Sequence, residues 1–353
     1  ATMLIQTTLL NKQIRFRHLA KVNLAAMLVS SLAAIVMALC GCGVWTLAWQ
    51  PVILAGVKSG LLWTTNRWRP QCYFSMAIIR DLFGFASSLL LSGLLNVVFI
   101  NVYSLVIPRL YPKRELGLFT QGNKICDPIV SLVYGSIQNA TYPIFSNIQT
   151  QHDRLINAYR KSIRFTSFLT FPLLIGGVMV APALFRLLFK SEWWDAIPFF
   201  QLLCMGGCFT VLTAINNNFI KVSGRSSGIL RIEIIKMALT AVSIALLARE
   251  SVLAMVAGLM AVRGVVHLIN IYYTQRYTGY GMWAQLCDTV PYLLLAVVMA
   301  AAVWSVGLVV DKPWLLLPLQ IVAGAAVYTL LAYATGSKIL KDAIRLLLKK
   351  ETL

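Results

Sequence analysis

The stretch SSLLLSGLLNVVFINVYSLVI at residues 87–107 decides the fold, together with LGLFTQGNKICDPIVSLVYGSIQNATYPIFSNIQ at residues 116–149. Each is long enough to cross the hydrocarbon core of a membrane as a helix. Between them, Pro108 and Pro112 predict a tight turn, because proline interrupts helical hydrogen bonding. The chain is therefore predicted to be a bundle of membrane-crossing helices, with this pair at its centre.

The second helix of the pair carries polar side chains at alternating steps of four and three residues. They are Thr120, Lys124, Asp127, Ser131, Tyr134, Gln138 and Thr141. Side chains at these steps share one helix face, and hydrocarbon disfavours such a polar stripe unless it faces protein or water. The other face is predicted to be apolar, formed by Ile125, Ile129, Leu132, Val133 and Ile137. The first helix repeats the polar pattern more faintly with Ser88, Ser92, Asn96 and Tyr103, so the pair is predicted to line a polar cavity.

The composition independently places the chain among membrane proteins. It is 59% hydrophobic and 12% charged, and its net charge is +19. The basic residues lie in short clusters between apolar runs, as the positive-inside rule predicts, and not in a basic stripe on a soluble domain. Seven cysteines lack the paired spacing of a zinc site. We expect no metal, no cofactor and no nucleic-acid partner.

The central pair resembles the corresponding helices of Wzx-type lipid-linked oligosaccharide flippases, a group within the MATE-related MOP superfamily that includes exporters of the lipopolysaccharide-biosynthesis type. Four further phrases occur in the order found in that family. They are LLWTTNRWRP at 61–70, RLINAYRKSIRFTSFLTFPLLIGGV at 154–178, FFQLLCMGG at 199–207 and IKVSGRSSGILRIEIIK at 220–236. The resemblance covers nearly the whole chain, and the ordered set is more specific than any single phrase.

This resemblance implies an all-α, MATE-like bundle of two lobes that rock between inward-open and outward-open states. It implies about fourteen helices, of which about the first three and a half are lacking here; a short chain that begins at Met3 is the alternative. The predicted division is a remnant of the N-terminal lobe at 1–70, a C-terminal lobe of six spans at 71–280, two additional spans at 281–335 and an amphipathic tail at 336–353.

The Lys and Arg residues predict the orientation. Twenty-one of them, including those of a predicted basic loop at 153–164 and Lys236, fall on one side of the spans, against six on the other. The first side is predicted to be cytoplasmic, with the C-terminus there. The resemblance implies that the membrane is a bacterial inner membrane. Lys58, Lys124, Arg186 and Arg263 lie within spans, where a charge costs roughly 2.5–3.5 kcal/mol. Arg186 is expected to snorkel, and Lys124 either lines the cavity or pairs with Asp127.

The resemblance implies that the chain translocates a polyprenyl-diphosphate glycan for polysaccharide or lipopolysaccharide export. A cation beside the path offsets part of the desolvation cost of the diphosphate, and hydroxyl and amide groups bind sugar hydroxyls. The predicted cavity-lining residues are Lys124, Asp127, Thr120, Ser131, Tyr134, Gln138, Asn96, Arg263 and Lys58.

No catalytic constellation is visible in the sequence, so we expect a transporter and not an enzyme. Its expected partners are the lipid-linked oligosaccharide, membrane lipids, and glycan polymerase or ligase machinery. The alternatives are a MATE-like exporter of small molecules, a membrane enzyme of envelope glycan assembly, and a scaffold that transports nothing.

Overall fold

The computed structural model describes residues 3–12, 16–43, 45–66, 75–224, 226–310, 312–337 and 339–340. Within these ranges the regular structure is helical, with no strand. The helices are α1 (Leu4–Lys12), α2 (Phe16–Leu39), α3 (Trp45–Thr65), α4 (Met76–Leu110), α5 (Lys113–Asn147), α6 (His152–Leu188), α7 (Ile197–Val222), α8 (Ser226–Leu247), α9 (Val252–Thr278), α10 (Met282–Val309) and α11 (Pro313–Ala334). A 3-10 helix at Ser191–Ala196 leads into α7.

Seven helical segments of the described ranges are long and apolar enough to cross a membrane. They are Phe16–Leu39, Ala86–Leu110, His152–Leu188, Ser191–Val222, Val252–Arg276, Met282–Val309 and Pro313–Ala334. Neither α5 nor α8 belongs to this set. The first carries the polar stripe, and the second carries Arg231, Glu233 and Lys236. Both helices are therefore expected to face protein or water rather than lipid along these polar residues.

The contacts divide the chain into two compact units, residues 1–79 and 80–353. In the first, α2 and α3 form a helical hairpin against which α1 packs, with Leu10, Val22 and Leu62 buried between them. The hairpin turns at Gly41 and Gly43, whose φ angles of 76° and 51° are readily available only to glycine. The predicted domain limits at residues 70, 280 and 335 stay predictions, and the tail beyond residue 340 lies outside the described residues.

In the second unit, α7 is the central helix and packs against α5, α6 and α9. Lipid chains are as apolar as leucine, so such helices associate through close packing, which small residues permit. Gly122 of α5 illustrates this, because a Cβ atom there would lie 3.0 Å from the backbone nitrogen of Phe200. A Cβ on Gly207 of α7 would lie 2.7 Å from Cγ2 of Val130. Glycine thus permits the close approach of α5 and α7.

Tyrosine hydroxyls that bind backbone carbonyls connect the outer helices to this centre. Tyr103 of α4 and Tyr111, the residue directly after α4, donate to the carbonyls of Met255, at 3.3 Å, and Ala248, at 3.0 Å. The two last helices, α10 and α11, both pack on α6, where the Tyr328 hydroxyl donates to the Phe168 carbonyl at 2.9 Å. A buried hydroxyl in an apolar layer needs such a partner, so these bonds help fix the positions of α4 and α11.

Two segments predicted to be separate from the spans are helical. The predicted basic loop at 153–164 is wrong, because α6 begins at His152 and continues without a break to Leu188. Residues 76–83, which lie before the predicted span at 87–107, are the beginning of α4. Residues 152–171 contain neither glycine nor proline, so nothing in the sequence ends the helix where its hydrophobicity falls.

Candidate functional site

The polar stripe of α5 faces away from the helix that α5 packs against. Lys124, Asp127 and Ser131 are exposed, while Thr120, Tyr134 and Gln138 are half-buried. The face that packs on α7 consists of Leu118, Phe119, Gly122, Cys126, Val130, Val133 and Ile137, all buried. Of the predicted apolar face, Val133 and Ile137 are buried in this contact, whereas Leu132 is 72% exposed.

The stripe does not remain on one line along the helix. Its steps average 3.5 residues, whereas the helix turns once in 3.6, so the stripe drifts by about 20° per seven residues. At its end, Thr141 has drifted onto the buried face, where its hydroxyl accepts a hydrogen bond of 2.8 Å from Nδ2 of Asn218. The same amide donates to the Gln138 carbonyl at 3.0 Å. The stripe is thus open at Lys124 to Ser131 and anchored to α7 at its C-terminal end.

Lys124 and Asp127 do not pair with each other in the structure. Both side chains are exposed, and neither has a hydrogen bond or ion pair with a described residue. The i,i+3 pair, which the sequence left open as an alternative role for Lys124, is not formed. The Lys124 ammonium is therefore free to meet a ligand, and its cavity-lining role stays a prediction.

Asn96 of α4 lies beside a buried ion pair of α8. Lys236 Nζ donates to Oδ1 of Asn96 at 3.0 Å and lies 2.5 Å from Oε2 of Glu233. The ammonium also lies 4.3 Å from the ring centroid of Phe99, within cation–π distance. Lys236 was predicted to belong to a cytoplasmic cluster, and this is wrong: it is 8% exposed, three turns inside α8. The sequence feature that could have indicated this interior position is Glu233, a carboxylate three residues before Lys236 in an otherwise apolar stretch of helix.

Arg263 of α9 is an inward-facing cation that pairs with no described residue. It has no hydrogen bond or ion pair with a described residue, although the carboxylate of Asp127 and the side chains of Tyr103 and Cys126 lie within electrostatic range. Its stem packs over Gly206, where an added Cβ would lie 3.2 Å from Cδ. His267, one turn later, is instead engaged by Thr213, with 3.2 Å between Nδ1 and Oγ1. Arg263 is thus half-buried, and the N–H groups of its guanidinium make no hydrogen bond with a described residue.

These residues form what we call the interior polar cluster. Its members are Asn96, Asp127, Tyr134, Glu233, Lys236 and Arg263. Tyr134 belongs to it because its phenol lies within electrostatic range of Glu233 and accepts a bond of 2.9 Å from Gln138. Two cations and two carboxylates balance within the cluster, and exposed Lys124 adds a third cation. Because Lys124 and Asp127 lie three residues apart on the same face of α5, the cluster and this lysine together carry a net positive charge, which suits an anionic ligand.

The remaining predicted site residues are not brought into the cluster by any described contact. Thr120 and Ser131 lie on the stripe of α5. Lys58 is half-buried in α3 of the first unit, which is described here by itself. A separate cavity of about 430 Å³ opens beside the turn between α4 and α5. Because carboxylates line it together with the Arg114–Asp195 ion pair, it suits an anion less well than the cluster does.

Residues 1–198 match the model of a family described as polysaccharide biosynthesis protein. The chain belongs to this family. The match covers more than half of the chain, including the stripe of α5 and the Asn96 side of the interior polar cluster. The resemblance to polysaccharide exporters predicted from the sequence is thereby confirmed.

Three curated relatives of this polysaccharide biosynthesis protein carry transport or biosynthesis names. The teichuronic acid biosynthesis protein TuaB of Bacillus subtilis is 24% identical over 62% of this chain and 46% of its own length. The succinoglycan biosynthesis transport protein ExoT of Rhizobium meliloti is 24% identical over 56% and 40%. The lipopolysaccharide biosynthesis protein WzxC of Escherichia coli is 23% identical over 56% and 41%. The matched part thus spans less than half the length of these relatives.

A comparison with a solved structure identifies the fold of this chain. The lipid II flippase MurJ, in an inward closed conformation, superposes with a TM-score of 0.64 over 90% of this chain and 67% of its own. The two sequences are 13% identical, so the likeness concerns the fold alone. The predicted all-α, multi-pass membrane fold of the flippase type is confirmed.

Proposed function

We propose that this protein translocates a lipid-linked oligosaccharide, a polyprenyl-diphosphate glycan, across the bacterial inner membrane by alternating access. The family supports a role in polysaccharide biosynthesis, and the named relatives include a transport protein. We further propose that the C-terminus is cytoplasmic, as the Lys and Arg bias suggests. A polymerase or ligase of glycan assembly is the partner that would consume the translocated product.

The observation that carries the proposal is the guanidinium of Arg263, which has no hydrogen bond or ion pair with a described residue. A cation in a low-dielectric interior without a partner is costly, and a protein retains it where a ligand supplies the missing charge. A diphosphate accepts several hydrogen bonds from the planar fork of a guanidinium. The hydroxyl and amide groups of the α5 stripe can form hydrogen bonds with the hydroxyl groups of the sugars.

The experiment is a translocation assay with the intact protein in vesicles that contain a fluorescent polyprenyl-diphosphate oligosaccharide. Arg263→Gln is expected to lower the translocation rate by roughly tenfold or more, because a charge-assisted hydrogen bond contributes about 1.5–3 kcal/mol. Arg249→Gln, which removes an exposed arginine from the α8–α9 turn, is the control and is expected to retain the rate.

Two outcomes would contradict the proposal. A wild-type protein that moves small organic cations but not the labelled lipid would favour a small-molecule exporter. A protein that elongates or transfers the glycan without moving it across the bilayer would favour an enzyme of envelope assembly.

A further inference from the structure

A second charged cluster lies where α6 meets α10 and uses none of the residues of the interior polar cluster. Arg164 donates from Nη2 to Oδ1 of Asp288 at 2.6 Å, and Arg160 donates from Nε to Oδ2 at 3.1 Å. The Tyr280 hydroxyl donates to the same carboxylate, and the guanidinium of Arg160 lies 5.0 Å from the centroid of its ring. Burial, reinforced by this bond to an anion, raises the pKa of Tyr280, so the phenol remains a donor. One buried carboxylate thereby holds two guanidiniums in place.

Among the described residues, these two arginines use only a minority of their N–H donors. A guanidinium has five N–H donors, and each arginine gives one to Asp288. The arginine side chains are 39% and 37% exposed, whereas that of Asp288 is only 8% exposed. Two positive charges also face one negative charge. A single ion pair with Asp288 would be enough to connect α6 to α10. The second arginine therefore adds one positive charge, which an external anion would neutralise.

The cluster lies at the level where the apolar parts of both helices begin. Arg164 is followed by an uncharged run at residues 165–185 of α6, and Asp288 is followed by one at residues 289–310. Each run is long enough to cross the hydrocarbon core. The preceding charges therefore lie near the phosphate layer of one leaflet, where basic pockets between membrane helices bind lipid headgroups. This placement follows from the two runs and does not depend on the orientation of the chain.

We infer that Arg160 and Arg164, positioned by Asp288, form a site for the phosphate group of a membrane lipid. The carboxylate and the Tyr280 ring hold the guanidiniums in place before any ligand binds. The phosphate can therefore accept hydrogen bonds from both arginines, and these side chains lose little conformational entropy on binding. The inference does not rest on the proposed transport activity. The phosphate can belong to an abundant anionic phospholipid or to a diphosphate-bearing lipid, and the test separates these two sources.

The test is native mass spectrometry of the intact protein in detergent, titrated with phosphatidylglycerol or with diacylglycerol, which lacks the phosphate. The variant is Arg160→Gln, Arg164→Gln and Asp288→Asn combined, so that no buried carboxylate is left unpaired. The variant lowers the net charge by one, and Arg276→Gln, at the same end of the bundle, is the control with the same change. We expect the triple variant to bind phosphatidylglycerol roughly tenfold more weakly than the wild type and the control.

Equal affinity in the triple variant and the control, or equal binding of diacylglycerol and phosphatidylglycerol by the wild type, would overturn the inference. If the triple variant does not fold, Arg160→Lys with Arg164→Lys decides, because lysine keeps the charge but lacks the bidentate fork. That variant is expected to bind several-fold more weakly, and wild-type affinity would contradict the site. Displacement of phosphatidylglycerol by soluble pyrophosphate assigns the site to a diphosphate-bearing lipid, and its retention assigns the site to a phospholipid.

Discussion

The interior cations of this protein differ in what already surrounds them. Lys236 has a carboxylate, an amide oxygen and an aromatic face as partners, so its charge is balanced before any ligand arrives. Arg263 has none of these bonds among the described residues, and Lys124 is exposed without one. A ligand anion would have to break existing contacts to reach Lys236, but not to reach Arg263 or Lys124. The free cations are therefore the expected binding groups.

The sequence could reveal that Lys124 lies on a polar helix face, but not that Lys236 contacts Asn96. The period of the α5 stripe is local, and it groups Lys124, Asp127 and Ser131 on one face, which is exposed in the structure; that this face lines a cavity stays a prediction. The partner of Lys236 is Asn96, which is 140 residues away, so only the folded chain brings the two together. Local spacing equally allowed the Lys124–Asp127 pair, because side chains three residues apart can meet but need not.

At the residue scale we predict that Lys124→Ala lowers glycan translocation by roughly tenfold, because it removes a charge-assisted bond to the diphosphate. Lys124→Arg is expected to retain much of the activity if the group acts as a point charge. Rates are measured in vesicles at matched protein content, and membrane abundance is expected to stay unchanged.

A double variant tests the role of Lys124 against its alternative. If the lysine only neutralises Asp127, then Lys124→Ala combined with Asp127→Ala restores translocation, and the binding role is refuted. If the lysine meets the substrate, the rate stays low in the double variant. The exposed, unpaired positions of both side chains lead us to expect the second result.

At the scale of single helices, hydropathy locates the part of a helix that crosses lipid, and not its ends. The apolar run of α6 begins at Phe165, but the helix begins at His152 and carries Arg160 and Arg164 on its extension. At 1.5 Å per residue its 37 residues span about 55 Å, which exceeds the hydrocarbon core. The extension brings both arginines to Asp288 of α10, a contact that a flexible basic loop could not hold in fixed geometry.

The packing of α5 on α7 gives a prediction at this scale. Gly122→Ala is expected to lower the free energy of unfolding by about 1–3 kcal/mol, because the new methyl group meets the backbone of Phe200 and a backbone cannot rotate away. Gly135→Ala, on the same helix, is the control, since a Cβ there meets nothing within 4 Å. It is expected to be neutral or to stabilise by up to about 1 kcal/mol through helix propensity.

Thermal unfolding of the two variants in the same detergent measures the difference. A lower midpoint for Gly122→Ala alone supports close contact between α5 and α7. Equal midpoints would mean that the two helices can separate at little cost and that glycine is not needed for their approach.

At the scale of the molecule, the helix order makes the topology testable. Consecutive spans alternate in direction, so the turn after α5 and the 3-10 helix after α6 must lie on opposite sides of the membrane. The Lys and Arg bias decides which side is which, and placing Lys236 in the interior changes the count only from 21 to 20 against six. The bias therefore does not depend on Lys236.

We accordingly predict that Gln149→Cys lies in the cytoplasm and that Ser191→Cys, beside the interfacial Trp193 and Trp194, faces outward. Each is introduced into a chain whose seven native cysteines are replaced by alanine. A membrane-impermeant maleimide added to intact cells should label position 191 at once, and position 149 only after permeabilisation. The reverse pattern would place the C-terminus outside and refute the assignment from charge. Labelling of both positions from outside would contradict the fold itself, because α6 would then not cross the membrane. That result would mean that the uncharged run at residues 165–185 is not a membrane span.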